Sequence, residues 1–441
     1  MSEAVSHRRE ILRLAVPAFL ALIAEPLFLL ADSAIVGHLG TAELAGLGVA
    51  SAALLTAAGV FIFLAYGTTS VVARQLGAGD VRAAITAGVD GLWLAAGLGI
   101  VTAALVAVFA EPICALFGAS EAVIAQATIY LRISSLGLPA MLGILAVTGV
   151  LRGLQDTRTP LIASVLGFSA NVVLNVVFVY GFAWGIAGSA WGTVFAQTGM
   201  AAGLVAVLLR QARVRDASLH PHPGRILAAA RTGVPLLIRT LALRAALLLT
   251  TWAAASLGDV PLAAHQVALT VWSFLAFALD ALAIAAQAIV GRSLGAGDRH
   301  GVRVTMRTMV QWGVWGGLAI GLVVVALQSV LPPLFTSDEP VRTALAAALV
   351  VVGLGQAVAG YVFVLDGVLI GAGDGRWLAW GQVVSLVGYV PLVLAVRARG
   401  PSDSAARDIV VLWLAFTAWM TLRAVVLGWR ARQDAWMVTG A

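Results

Sequence analysis

The 441-residue chain contains no lysine: all 27 of its basic side chains are arginine. A Walker-type phosphate loop needs a lysine to reach the phosphates. The stretches ARQLGAGD (73–80) and GRSLGAGD (291–298), with their paired glycines and terminal acid, are therefore not such loops. Cysteine is almost as scarce. One residue, Cys114, excludes a disulfide framework and a cysteine-built metal site. Charge of either sign is thin, at 11% of residues, where an ordinary soluble domain carries roughly 25%. With 61% hydrophobic residues and a mean hydropathy of +0.98, so few charges cannot clothe a water-facing surface. Most of the chain must face lipid or other apolar helices. A pI near 10.3 would suggest nucleic acid for a soluble protein, but here the arginines flank apolar runs, and no nucleic-acid partner is expected.

What is present is a repeat. The two GAGD stretches lie 218 residues apart, and the same offset maps Val16-Pro17 onto Val234-Pro235 and Leu39-Gly40 onto Leu257-Gly258. It also maps Leu44-Ala45 onto Leu262-Ala263, and Gly153, Asp156 and Arg158 onto Gly371, Asp374 and Arg376. One fixed shift across both halves is the mark of an internal duplication. In each GAGD stretch the glycines can end a helix at positive φ, and the aspartate can cap the next one. The expectation is a tight structural turn used once per half.

Apolar runs long enough to span a bilayer recur at about 12–36, 46–72, 86–110, 125–150, 159–181 and 186–209. They recur again at about 231–256, 262–290, 306–331, 343–370, 376–396 and 408–430. The fold class expected is all-α and integral to the membrane: twelve helices in two pseudo-twofold-related lobes of six. The first lobe covers 1–212, a polar link 213–230, and the second lobe 231–441. The N-terminal apolar run is too long for a signal peptide, whose apolar core is typically about 7–15 residues, and reads as the first spanning helix. Arg8, Arg9, Arg74, Arg82, Arg152, Arg158, Arg210, Arg213, Arg215, Arg225, Arg292, Arg299, Arg303, Arg376, Arg430 and Arg432 fall at one set of helix ends. Glu43, Glu111, Glu121, Asp259, Asp338 and Glu339 fall at the other, with Arg342, Arg397, Arg399 and Arg407 as exceptions. The positive-inside rule then places both termini in the cytoplasm, as an even helix count requires. Two parallel repeats of this kind place substrate between the lobes, and suit alternating access by rocking.

Ionisable residues inside spanning helices are costly and are functional candidates. Helix 1 carries Glu25 and Asp32, two turns apart on one face, with Pro17 and Pro26 able to bend it. Burial disfavours the charged form of a carboxyl, which lets such an acid take up and release a proton. Helix 5 places Asn171 and Asn175 at i and i+4, and helix 6 contributes Thr193. In the second half Asp32 becomes Thr250 and Glu25 becomes Leu243, while Arg239 and Arg244 are gained. Pairing of Arg239 or Arg244 with Asp280 is the structural expectation, with substrate contact by Asp280 or Asp366 as the other reading. Asp90, near the end of helix 3, is expected to be structural.

The segments AEPLFLLADSAIVGHLG, VARQLGAGD, VLRGLQDTRTP, NVVLNVVFVYG, LAAHQVALT and VLDGVLIGAGD together resemble the multidrug and toxic compound extrusion (MATE) transporters, in particular their DinF-like branch. The resemblance covers nearly the whole chain. It implies two six-helix lobes around a V-shaped cavity, and export of cationic or amphipathic compounds in exchange for H+ or Na+. By resemblance, Asp32, Asn171 and Thr193 match the family's first-lobe cation site, and Tyr130 matches a supporting tyrosine. Asn175 stands where several relatives carry aspartate; losing that hard oxygen ligand favours H+ over Na+. The expectation is a monomeric H+-coupled drug antiporter of the cytoplasmic membrane, without a further cofactor and not an enzyme. A Na+-coupled antiporter or a lipid-linked oligosaccharide flippase of the same superfamily are the alternatives.

Overall fold

A computed structural model describes residues 2–440; Met1, Ala441 and the side chains of residues 2–8 and of Glu25 lie outside the described residues. Every regular element among the described residues is helical. The first half runs α1 (Ser2–Gly37), α2 (Thr41–Phe61), α3 (Phe63–Gly77), α4 (Val81–Val108), α5 (Ala110–Ala115), α6 (Glu121–Ser135), α7 (Leu138–Gly153), α8 (Arg158–Val176) with a π turn at Val177–Gly181, and α9 (Gly185–Val214). The second half runs α10 (Pro223–Ala255), α11 (Asp259–Gly295), α12 (Arg299–Ala326), α13 (Pro332–Phe335), α14 (Glu339–Gly371), α15 (Gly375–Arg399) and α16 (Ala405–Arg432). Among the described residues, with α2 and α3 taken together, eleven helices are long and apolar enough to cross a membrane, or twelve if α6 and α7 form one span. The protein is a multi-pass membrane protein.

The duplication is written into the helix ends. Helices α4 and α12 are offset by 218 residues at both start and finish, and so are the α6–α7 pair and α14. They differ in one respect: the span expected as a single helix over 125–150 is broken, with α6 and α7 meeting at 53°, whereas α14 is continuous. Both halves have glycine at the break position, Gly137 and Gly355, so glycine alone does not explain it. Pro139 does: it cannot donate to the carbonyl four residues back, while its counterpart Ala357 can.

Residues 12–234 with 440–441 form one compact unit, and residues 1–11 with 235–439 form the other. They are called the N-unit and the C-unit below. The repeated GAGD stretches are turns, as expected. Gly79 has φ 84° and Gly297 has φ 79°. Asp80 N donates to Gln75 O at 3.1 Å and Asp298 N to Ser293 O at 2.9 Å, the six-to-one bond that closes a Schellman helix end. Each aspartate then caps the following helix, accepting from Ala83 N and Gly301 N at 2.8 Å. The arginine one turn earlier in each copy ties down a chain terminus. Arg292 Nη2 donates to Glu10 Oε1 at 2.5 Å, and Arg74 donates from Nε and Nη2 to Gly440 O at 3.1 and 2.9 Å.

Helix α1 continues through Pro17 and Pro26. Proline at 17 leaves Arg13 O without its helical donor, and Thr157 Oγ1 takes that place at 3.4 Å. A neighbouring helix re-satisfying a freed carbonyl is the usual way a membrane helix tolerates proline.

Candidate functional site

Four segments of the N-unit converge on Asp32, which is 2% exposed. Phe28, one turn before it on α1, stacks on Phe168 of α8 with centroids 5.2 Å apart. That contact sets Asp32 level with the two asparagines of α8. Asn175 Nδ2 donates to Asp32 Oδ1 at 2.8 Å and is also 2.9 Å from Asn171 Oδ1. Asn171 Nδ2 donates to Thr193 Oγ1 at 3.1 Å. Tyr130 OH, from α6, donates to Asp32 Oδ2 at 3.2 Å. Five of the residues singled out from sequence (Asp32, Asn171, Asn175, Thr193 and Tyr130) thus form one buried network. Asn171 reaches the carboxylate only through Asn175. Glu25, the other acid of α1, has its side chain outside the described residues.

The network contains one member that sequence reasoning missed. Ser189 Oγ donates to Asp32 Oδ1 at 2.6 Å, the shortest of the carboxylate's hydrogen bonds. The signal was available: Ser189 precedes Thr193 by one turn on α9, so the two share a face just as Asn171 and Asn175 do. Two glycines bring α9 close enough. A Cβ at Gly188 would meet the Phe178 carbonyl carbon at 2.7 Å, and one at Gly192 would strike the Asn175 side-chain amide. Asn175 Oδ1 is buried and accepts no hydrogen bond.

Three donors therefore face one carboxylate at the level of the spanning helices. Charge-assisted hydrogen bonds are about twice as strong as neutral ones and offset part of the cost of burying the charge, itself several kcal/mol. No cluster of three or more His, Cys, Asp or Glu residues suited to a metal occurs among the described residues.

The C-unit is built differently at the equivalent positions. Thr250 Oγ1 and Tyr389 OH, which replace Asp32 and Asn171, lie 2.7 Å apart in a neutral, fully buried hydrogen bond. Val393 stands in for Asn175 and Ala348 for Tyr130. The unit's buried charge lies elsewhere. Arg239 of α10 pairs with Asp366 of α14 through Nε at 3.1 Å and through Nη2. Arg423 of α16, not singled out from sequence, joins through Nη2 to Asp366 Oδ2 at 3.0 Å and through Nε to Gln382 Oε1 at 2.9 Å. The ion pair of Arg239 with Asp366 brings together side chains of α10 and α14, with Arg423 of α16 on the same carboxylate, a juxtaposition that no spacing in the sequence reveals. Arg244 is exposed, and Asp280 is half-buried on α11. Asp90 of α4 is 2% exposed, accepting from His222 N at 3.2 Å and lying 3.4 Å from Arg225 Nε.

Comparison with known proteins gives a consistent answer. The MatE family profile matches residues 17–177 and again 235–395. Protein DETOXIFICATION 44, chloroplastic, of Arabidopsis thaliana is 32% identical over 96% of this chain and 81% of its own length. DNA damage-inducible protein F of Escherichia coli K12 is 30% identical over 99% of this chain and 95% of its own. Among solved structures, the Vibrio cholerae MATE transporter VcmN in the bent form superposes with a TM-score of 0.86 at 22% identity, covering 99% of this chain and all of that one. At that identity the likeness speaks for the fold.

Proposed function

This chain belongs to the MatE family, the multidrug and toxic compound efflux transporters, and on that premise we propose that it is an H+-coupled antiporter of cationic or amphipathic organic compounds. The proposed setting is the cytoplasmic membrane, with both termini cytoplasmic as the arginine distribution suggests and the monomer as the working unit. One observation carries the coupling assignment: a single buried carboxylate, Asp32, is met by three donors, and the acceptor beside it, Asn175 Oδ1, is unused.

Consider the proton's arrival. A protonated Asp32 must itself donate, so the groups around it have to rearrange until the new O–H meets an acceptor. The hydroxyls of Ser189 and Tyr130 can rotate. The Asn175 amide has a further option: turned over, it offers its idle Oδ1 to the new O–H, at the expense of its bond to Asn171. Loss of the charge and of the Asn175–Asn171 bond loosens α1 from α8. Helix α1 then re-bends at Pro17 and Pro26, and the movement releases substrate. The reading favours H+ over Na+ because three hydrogen-bond donors already occupy the carboxylate, and a sodium ion would have to displace them. No cofactor is required.

The experiment is transport into proteoliposomes under separate H+ and Na+ gradients. Efflux should follow the H+ gradient, vanish when that gradient is dissipated, and vanish in Asp32→Asn with the protein still folded. Undiminished efflux in Asp32→Asn, or efflux that follows only Na+, rejects the assignment.

A further inference from the structure

A cleft of about 310 Å3 lies within the N-unit, between α3, α4 and the first three turns of α10, well away from the Asp32 network in sequence and in lining. It is large enough for a small organic ligand. Phe63, Leu64, Val71 and Leu94 give it apolar walls, and Thr68 and Asp90 give it a polar end. Asp90 is the buried acid of the lining. Its side chain is 3% exposed, whereas that of Arg225 in the lining is 48% exposed and that of His222, its other neighbour, 39%.

The two oxygens of Asp90 are treated differently. Oδ1 accepts from His222 N at 3.2 Å and lies 3.1 Å from His222 Nδ1. Oδ2 is buried and receives no hydrogen bond, although Arg225 Nε stands 3.4 Å away. A carboxylate this deep needs a cation beside it, but a half-exposed guanidinium at that distance without hydrogen-bond geometry is a weak one. An ammonium group seated in the cleft could donate to Oδ2 directly, while its apolar body covered the walls.

We propose that this cleft is a second binding site, for amphipathic organic ammonium compounds, with Asp90 as the anionic anchor and Arg225 as the internal cation that holds the place when the site is empty. The inference deepens the transport reading and rests on it for the substrate class. Ligand entry swings Arg225 outward and frees the start of α10. That helix runs on from residue 234 of the N-unit into residue 235 of the C-unit, so occupancy loosens one of the connections between them. The site would act as an intake station, loaded before the Asp32 switch is used.

The test is binding without any ion gradient. Full-length protein in lipid nanodiscs, in an Asp32→Asn background, is titrated with the fluorescent primary amine dansylcadaverine and with its uncharged N-acetyl derivative. The amine should bind and the acetylated probe should not. Asp90→Asn should weaken amine binding by about tenfold or more, the scale of removing one partner of a buried charge pair. Arg225→Gln should tighten it several-fold by removing the competitor. Ala229→Trp, which fills the cleft while keeping both members of the ion pair, should weaken it even if Asp90→Asn fails to fold. Equal binding of both probes, weaker binding in Arg225→Gln, or unchanged binding in Ala229→Trp overturns the proposal. The two readings fail separately. If the cleft variants leave binding unaltered while Asp32→Asn still abolishes H+-driven efflux, the intake site falls and the antiporter stands. If the variants behave as stated but efflux ignores the H+ gradient, the reverse holds.

Discussion

Asp32 and Thr250 occupy equivalent positions in the two halves, 218 residues apart, and around them the halves diverge. In the N-unit the position carries a carboxyl group with no cationic side chain among its hydrogen-bond partners; hydroxyls and amides that can rotate or turn over surround it. In the C-unit the same position is a neutral threonine bonded to a tyrosine, and a buried carboxylate, Asp366, lies on α14, where two guanidiniums hold it. The contrast teaches what makes a buried acid switchable. Asp366 cannot lose its charge without abandoning two buried cations, a penalty that fixes it in place. Asp32 loses only hydrogen bonds that its partners can make elsewhere. A duplication supplies two copies of the frame; side chains decide that one copy holds its buried acid with neutral donors and the other with two guanidiniums.

The sharpest way to break this comparison is to remove Asp366. Asp366→Ala leaves Arg239 and Arg423 facing each other in the bundle and should cost about 3–5 kcal/mol, the usual scale for orphaning a buried charge. Thermal unfolding of the purified protein would show it as a large loss of Tm, whereas Asp32→Asn should unfold close to the parent. Similar Tm values for Asp366→Ala and the parent would mean that the C-unit cluster is not the brace described.

A smaller effect is expected from Gly192→Ala. The added methyl pushes on Asn175, at about 1–3 kcal/mol for overpacking a tight contact, and it should impair H+-driven efflux because Asn175 addresses Asp32. Intact efflux at reduced stability would separate Asn175 from the coupling step. Thr250→Val, in the neutral counterpart, strands the Tyr389 hydroxyl and should cost about 1–2 kcal/mol. Its efflux should keep the parent's dependence on the H+ gradient; a changed dependence would give the C-unit position a share in coupling.

The smallest effect compares two helix ends. Gln155 has φ 65° where the other half has Gly373 at φ 77°. Gln155→Gly should therefore stabilise by about 1 kcal/mol, by lifting the steric penalty of a left-handed non-glycine residue. A lower Tm would show that the Gln155 side chain contributes more than its backbone costs.

Much of this was legible in the chain itself. Scarce charge and long apolar runs dictate spanning helices, because unpaired backbone groups and ionised side chains are intolerable in lipid. The fixed offset dictates two related halves, and GAGD dictates its own turn, because both depend on order along the chain alone. Asp32, Asn171, Asn175 and Thr193 could be picked out since a polar residue in such a run is conspicuous, and the i, i+4 spacing puts pairs on one face. Ser189 escaped because a serine in a small-residue helix looks like packing until a partner is seen opposite it. The break at Pro139 was missed because proline also occurs inside unbroken helices here, as Pro17 and Pro26 do.

By itself the sequence settled the all-helical membrane-spanning class, the duplication, and which helix faces carry polar atoms, since these follow from periodicity and from the cost of polar groups in lipid. Only the tertiary structure decided which polar face meets which. It joined Arg239 to Asp366, brought Arg423 to the same carboxylate from α16, and left one oxygen of Asn175 idle beside Asp32. Hydrogen bonds and ion pairs depend on distances of about 3 Å, and those distances arise from helix packing between segments more than a hundred residues apart.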